Sequence, residues 1–374
     1  MSAPRASLTY HTPGGVTVAR IGGSPAANAA GDWLSLTYTN TVNAVGWVEV
    51  QTRRGAVPER WLVPDAQIAL YRGGKLEGET RWVARLFDED ETADTITIGA
   101  EAAIGLLDTR AVIGAAGDAT TSKTGPADDV MKAIVREQLG SSAGDARGLG
   151  TATPGYPFSV AGDTSQGPTV TRGFAYQPLL QTLQEFAQQA AAAGTFIAFD
   201  IIWNGVAYEF RTYTGRRGAQ RGPGSTRPLI FPATDLSELR ITRDYRTERT
   251  VAYVAGQGLG PDRDLVSAED AAQVGRSSIG RRETVVEDTR IAYGDTTALS
   301  ERAAQEVRAQ RARRVVAATI TDTGAYQYGT HWDFGDEIGV QLRSGEVVTA
   351  RIDSRTVRSG PDGERVSAQL RMEE

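Results

Sequence analysis

Apolar and polar positions alternate with period two in the first third of the chain. The runs "VGWVEVQT", "AQIALYR", "TRWVARLF" and "DTITIGA" are short and partly alternating, as half-buried strands are. Turn clusters, "RRGAVP", "GGKLEGE" and "DEDETAD", separate them. Runs at this spacing predict a meander closed into a sandwich or small barrel. In "GAEAAIGLLDTRAV" the residues Ile104, Leu106 and Leu107 predict a short helical turn packed beneath it. The acidic run Asp88 to Glu91 reads as a solvated hairpin tip, because a calcium loop needs spaced ligands and a central glycine.

Near residue 115 the pattern changes. "AAGDATTSKTGPADD" is small, polar and turn-forming, the composition of a linker. "PADDVMKAIVREQL" then places Val130, Ile134 and Leu139 at helical spacing, with Asp128 and Asp129 at the positive N-terminal end. A loop rich in Gly, Ser, Thr and Pro follows, from Gly140 to Gly173. The next helix is better marked. Pro178 suits its first turn, and Leu179, Leu180, Leu183, Phe186, Ala187 and Ala190 form one stripe. Gly194 suits a left-handed stop.

"TFIAFDIIWNGVAYEFRTY" is the strongest local signal. Ile197, Phe199, Ile201 and Trp203 alternate up to Asn204-Gly205, and Val206, Tyr208 and Phe210 alternate away from it. Asn-Gly between such runs predicts a two-residue hairpin turn. Helix plus hairpin makes an α+β module. The arginines Arg216, Arg217, Arg221 and Arg227 come next. They read as a flexible loop between domains rather than a nucleic-acid arm, because interleaved aromatics for base stacking are missing.

Strands return at Leu236 with "SELRITRDYRTERTVAYVAG", and the segment Gly258 to Asp288 is charged and irregular. "TTALSERAAQEVRAQRARR" predicts a helix capped by Thr296 or Thr297, with Leu299, Ala303 and Val307 on one face. "VVAATITDT", "DEIGVQL", "EVVTARID" and "ERVSAQLRM" close the chain as a β-meander. The segments "VQTRRG" (Val50 to Gly55) and "VQLRSG" (Val340 to Gly345) match at four letters of six. They fall in the two β-rich ends, as a duplicated β domain would place them. The fold class is therefore α+β and β-rich.

Composition narrows the chemistry. The 374 residues suffice for two to four domains. A net charge of -6 argues against non-specific duplex binding as a main role. The only lysines are Lys75, Lys123 and Lys132, and the arginine excess fits a GC-rich coding sequence. There are no cysteines, so disulfides and thiolate metal sites are excluded, and a reducing cytoplasm is the simplest folding compartment. No apolar run approaches the ~20 residues that span a bilayer, and the N-terminus lacks the regions of a signal peptide.

Asp333-Phe334-Gly335 spells the magnesium-holding letters of protein kinases. Their companions are missing: no strand lysine, no His-Arg-Asp and no Gly-rich loop stand upstream. The letters read instead as a turn, with Gly335 at the bend, the Asp336 carboxylate capping backbone N–H groups, and Ile338, Val340 and Leu342 continuing as a strand. "GQGLGP" (Gly256 to Pro261) lacks the third glycine and the helix of a dinucleotide fingerprint and reads as a loop. His11 and His331 alone make no three-ligand zinc site. No Gly-x-Ser-x-Gly elbow exists, and no carboxylate pair stands out among 46 acidic residues. No catalytic, cofactor-binding or metal residue is therefore assigned, and the chain reads as a non-enzyme.

One resemblance joins these pieces. The succession of "RWVARLF", "TITIGAEAAIGLLDTRAV", "LLQTLQEFAQQAAAAGTFIAF", "TVAYVAGQG", "GRRETVVED" and "YQYGTHWDFGDEIGVQLRSGEVVTARI" resembles the siphophage tail-tip hub proteins, minor tail proteins of the baseplate centre. It covers nearly the whole chain, and Gly335 to Val340 is its most recognisable element. The resemblance implies a structural virion protein with two tube-like β-barrel domains and further domains outside them. Residues 1–114 would be the first barrel and 115–235 the α+β peripheral domain. Residues 236–256 and 315–374 would make the second barrel, and 257–314 a peripheral insert with a helix. It implies a homotrimer that adapts a sixfold tube to a threefold tip and lines the DNA channel. The implied partners are the distal tail protein, the tape measure protein and tail-tip or fibre proteins. DNA would pass without specific binding, and this chain would insert in no membrane. Its place would be the virion tail tip, after assembly in the host cytoplasm. A tail-associated cell-wall hydrolase and a receptor- or carbohydrate-binding tip protein using Trp203 or Trp332 are the competing readings. The long Gly/Ala-rich N-terminal stretch departs from the pattern and leaves the strand count of the first barrel open.

Overall fold

A computed structural model describes residues 6–22, 33–114, 121–143, 147–149, 156–174, 176–289, 291, 293–311, 313–322, 326–360 and 363–373. Its dominant feature is one 14-stranded sheet to which both ends of the chain contribute. The order along it is Leu236–Asp244, Arg313–Thr321, Gly363–Glu373, Val347–Gly360, Trp33–Thr41, Ala44–Arg53, Thr95–Ala102, Trp82–Asp90, Gln67–Arg72, Ala6–His11 and Thr17–Ile21. Glu337–Gln341 pairs with the start of Val347–Gly360 and with Ile230–Pro232, and Lys75–Leu76 pairs with Gln67–Arg72.

The β-rich character predicted from sequence is present, whereas no closed barrel is found among the described strands. The reason lies in Val347–Gly360, which is long enough to serve two partners on one edge. Its first residues take Glu337–Gln341, and Ser354 to Ser359 pair antiparallel with Thr41 to Leu36. A strand edge from the C-terminal end is thus sealed by a strand from the N-terminal end, joining the two into one sheet. Val251–Ala255, expected with the second barrel, pairs instead with Leu265–Glu269 and Glu283–Glu287 in a separate three-stranded sheet.

The helices follow their sequence signals closely. Helix α1 (Ala127–Gln138) buries Val130, Ile134 and Val135 and carries Asp128 and Asp129 in its first turn. Those carboxylates accept the backbone N–H groups of Gln166, Thr164 and Ser165, so the helix start also ties down the loop at 164–166. Helix α2 (Leu179–Ala192) buries all six stripe residues, and Gly194 ends it at φ +87°. Helix α3 (Ala271–Val274) is a single turn. Helix α4 (Thr296–Ala309) buries Leu299, Ala303 and Val307 as expected. Its cap is Asp295, whose Oδ1 accepts the Ala298 N–H at 3.0 Å, in place of either threonine. Ala103–Thr109 is a buried 3₁₀ turn, as predicted.

The hairpin is shifted by one residue from the Asn-Gly expectation. Trp203 faces Tyr208, and the Asn204 N–H donates to the Ala207 carbonyl, so Gly205 and Val206 are the central pair. Asn204 instead caps the loop, its Oδ1 accepting the Val206 and Ala207 N–H groups at 3.0 and 2.9 Å. Val206 consequently points to solvent rather than inward.

Two cores result. The large one runs continuously from the sheet into α1, α2 and the hairpin. The small one, Val254, Leu299 and Ala303 with Val266, Ala268, Val286 and Ile291 against them, belongs to the three-stranded sheet, α4 and the segment between them. Among the described residues no helix is long and apolar enough to cross a membrane.

Candidate functional site

The junction between the two halves of the large sheet holds an unusual charge for a protein interior. Arg355, on Val347–Gly360, is completely buried. One end of its guanidinium donates to Glu77 Oε2 at 3.0 Å and to the Tyr328 hydroxyl, and the other end donates to Asn40 Oδ1. Glu77 Oε2 also accepts from Tyr38 at 2.8 Å and from Tyr328 at 3.0 Å. A second arginine completes the set. Arg72 binds both oxygens of Glu364 at 2.7 Å, and its Nε lies 3.2 Å from Glu77 Oε1, an ion pair without hydrogen-bond alignment.

Two guanidiniums and two carboxylates thus cancel, which is the condition under which charge survives burial. Burial would by itself depress the pKa of Arg72, but the bonds to Glu364 outweigh it and the net direction is upward. Burial raises the Tyr38 phenol above its ordinary value, so it remains a donor. The guanidinium of Arg355 also lies 4.8 Å from the ring centroid of Tyr328 and 5.1 Å from that of Tyr38.

These residues come from six places in the chain: two strands of the N-terminal end, the Glu77–Glu79 turn, Tyr328, and two strands of the C-terminal end. Sequence reasoning missed the cluster for a definable reason. Strict alternation in "VVTARIDSRTVRSG" points Val348, Ala350, Ile352 and Ser354 inward and Arg355 outward. A bulge between Ile352 and Ser354 reverses the phase, so Arg355, Val357 and Ser359 face the core.

A second cluster surrounds the kinase-like letters. Gly335 turns the chain at φ +83°, two residues before the strand Glu337–Gln341. The buried Asp336 carboxylate accepts the N–H of Asp333 at 2.9 Å, as the sequence suggested, and the N–H of Ala219 at 2.6 Å, with Arg221 Nε at 2.6 Å. The arginine loop is therefore stitched to this strand entrance. Gly218 N–H donates to Gly335 O, Glu337 N–H to Ala219 O, and Arg221 N–H to Glu337 O. Arg217 is buried, paired with Asp200 at 2.7 Å and set 4.7 Å from the Phe334 ring centroid. Arg217, inside, and Arg221, at the surface, thus fasten the loop rather than form a basic arm.

The remaining candidates are dispersed. His11 sits between the Thr9 and Thr17 hydroxyls, and His331 Nδ1 accepts the Gln327 N–H. Gly256 to Pro261 is a loop with one 3₁₀ turn at Gly260–Asp262. Trp332 is fully buried, and Trp203 lies under the Arg81 guanidinium at 3.7 Å. Val50 and Val340 are both fully buried at strand ends that run into glycine turns, Gly55 at φ +84° and Gly345 at φ +88°. Asp88 to Glu91 lies at an exposed hairpin tip, as expected. Two clefts open nearby, one of about 1420 Å³ between α2, α4 and Val347–Gly360, the other of about 860 Å³ beside Glu77 and Phe334. Among the described residues no group of three or more acidic or histidine side chains is placed to hold a metal ion.

This architecture is that of phage tail proteins. The tail protein from Neisseria meningitidis MC58 superposes over 98% of this chain and 97% of its own, with a TM-score of 0.55 at 12% identity. The 43 kDa tail protein of prophage MuSo2 from Shewanella oneidensis matches over 98% of both chains, with a TM-score of 0.54 and 12% identity. Prophage tail protein gp18 from Listeria monocytogenes matches over 98% of this chain and 94% of its own, with a TM-score of 0.52 and 12% identity. At such identities the likeness is one of fold. No curated protein matches the chain by sequence. Residues 27–370 match the family described as Siphovirus ReqiPepy6 Gp37-like protein, and the chain belongs to that family. The family is a siphovirus one, and the fold is that of the solved phage and prophage tail proteins.

Proposed function

We propose that this chain is the trimeric hub at the distal end of a siphophage tail tube, where it adapts sixfold to threefold symmetry and lines the channel through which DNA passes. The supporting observation is the fused sheet: β-rich segments from opposite ends of the sequence lie side by side, locked by Arg355 and Glu77. In this reading residues 1–114, and 236–256 with 315–374, supply two tube-like units per chain. Three chains then present six units to the tube above, with 115–235 and 257–314 outside the ring. Among the described strands Thr17–Ile21 and Leu236–Asp244 end the sheet, and neighbouring units would dock there. The distal tail protein, the tape measure protein and tip or fibre proteins are the expected neighbours. The role is architectural, without catalysis.

Gold-labelled antibody against this chain should decorate the tail end distal to the capsid in intact virions. Label spread along the tube, or absent from the tail, would overturn the reading. The receptor-binding alternative loses its candidate platform, because Trp332 is enclosed and Trp203 is covered by Arg81.

A further inference from the structure

Glu283–Glu287 is an outer strand of the small sheet and pairs in parallel with Val251–Ala255. Parallel strands are as a rule covered on both faces. This one has no buried residue. Glu283, Val285 and Glu287 are exposed, Val285 at 67%, and of its two valines only Val286 packs against the small core. Leu265–Glu269, the outer strand on the other side, places both Val266 and Ala268 against that core.

The main-chain bonds show which groups are left over. Arg282 O accepts the N–H groups of Thr250 and Val251 at 2.8 and 3.1 Å, and the Asp288 N–H donates to Ala255 O at 2.9 Å. The N–H and C=O of one strand residue point to the same side, and that side alternates along the strand. Thr284 and Val286 thus bond inward, whereas Glu283, Val285 and Glu287 turn their N–H and C=O groups to the outer edge. Among the described residues nothing meets them there. Edges that stay bare commonly carry a proline, a lysine or a bulge. Glu-Thr-Val-Val-Glu has none of these, and its register with Val251–Ala255 is unbroken. Its charges are two glutamates, both tied down within the insert. Glu283 accepts from Arg281 at 2.6 Å and from Tyr253 at 3.3 Å, and Glu287 accepts from Arg263 at 3.0 Å.

We infer that this edge takes an extended segment of a different polypeptide, which continues the small sheet through the main-chain groups of Glu283, Val285 and Glu287. Main-chain pairing carries the contact, with an apolar residue beside Val285 and no carboxylate beside Glu283 or Glu287. A second copy of the chain is the wrong occupant. Two such strands paired antiparallel about Val285 would set Glu283 of each against Glu287 of the other, and like charges directly opposite are unfavourable. The inference rests on the proposed place in a tail, where other proteins are neighbours, and is independent of the ring.

The test is hydrogen exchange at single amides, compared between the purified chain and assembled tails that contain it. In the purified chain the outward N–H groups of Val285 and Glu287 should exchange much faster than the inward ones of Thr284 and Val286. In tails Val285 and Glu287 should slow about tenfold or more, as paired amides do. Val285→Pro deletes one outward N–H and none of the inward bonds. The variant should keep its Thr284 and Val286 protection and enter tails about tenfold less, for the pairing bond it cannot make. Unchanged exchange at Val285 and Glu287 in tails would overturn the inference. So would slow exchange there in the purified chain, because the chain would then cover the edge itself. If tails form without the chain, its place in the tail and this contact fall together.

Discussion

Glu77 and Arg355 stand 278 residues apart in sequence, and their side chains meet at 3.0 Å inside the protein. The pair joins the turn that follows Lys75–Leu76 to the strand that seals the two β-rich ends together. Removing one partner unbalances the buried charges, whereas removing both keeps them balanced and leaves Tyr38, Tyr328, Asn40 and Arg72 with one partner fewer each. Arg355→Met alone should therefore cost about 3–5 kcal/mol. Arg355→Met with Glu77→Gln should cost less than the sum of the single changes by more than about 1 kcal/mol. Denaturant unfolding of the four proteins checks the cycle, and additive losses would show the pair to be uncoupled.

Arg355→Lys tests geometry instead of charge. One guanidinium reaches Glu77, Tyr328 and Asn40 together, and a lysine ammonium, one bond shorter in reach, has no planar fork to match them. The variant should fold but lose about 1–3 kcal/mol, for the partners left unsatisfied. Stability equal to wild type would show that only the charge matters.

Much of the secondary structure was legible in the sequence, and the cluster was not. Stripes such as Leu179 to Ala190 bury one face of a helix whatever the topology, so periodicity finds them. The Asp336 cap was also local enough to anticipate, because turn and carboxylate lie within four residues. Arg355 was hidden by a bulge that inverts strand parity, and the sheet order by a pairing between segments some 300 residues apart, which no local window contains. Arg221 was misread for the same reason, since Asp336 lies 115 residues on, whereas Arg217 binds Asp200 only 17 residues back, across the hairpin that precedes the loop.

His11 gives the fold a defined acid sensitivity. Burial, then the nearby Arg81 charge, lower its pKa from 6.5 to about 4, with a backbone hydrogen bond at Gly15 opposing them. The unfolded chain thus binds a proton that the folded chain refuses between those values. Stability contributed by neutral His11 is complete above about pH 6.5 and drains away as pH falls toward 4, by on the order of 3 kcal/mol. His11→Gln should flatten that part of the stability profile. An unchanged slope between pH 6.5 and 4 in the variant would assign the sensitivity to other groups.

Gly218 is fixed by space. A Cβ there would lie 2.4 Å from Asp336 Oδ1 and 2.6 Å from Asp336 N. Gly218→Ala should push the arginine loop off the strand entrance at a cost of about 1–3 kcal/mol. Hydrogen exchange should accelerate at Ala219, Arg221 and Glu337, and unchanged protection there would contradict the packing described.

The small core should fail independently of the large one. Leu299 is its central side chain, enclosed by Val254 and Ala303. Leu299→Ala should cost the insert about 2–5 kcal/mol. Exchange should then speed up in Val251–Ala255 and Leu265–Glu269 while Val347–Gly360 stays protected. Equal acceleration in both would show a single cooperative unit.

The central claim is that this chain closes into a ring of three, and its mass in solution tests that most directly. Sedimentation equilibrium of the purified 39.9 kDa chain should give a limiting mass three times that of one chain. A species that remains at the mass of a single chain up to the highest soluble concentration would contradict the account.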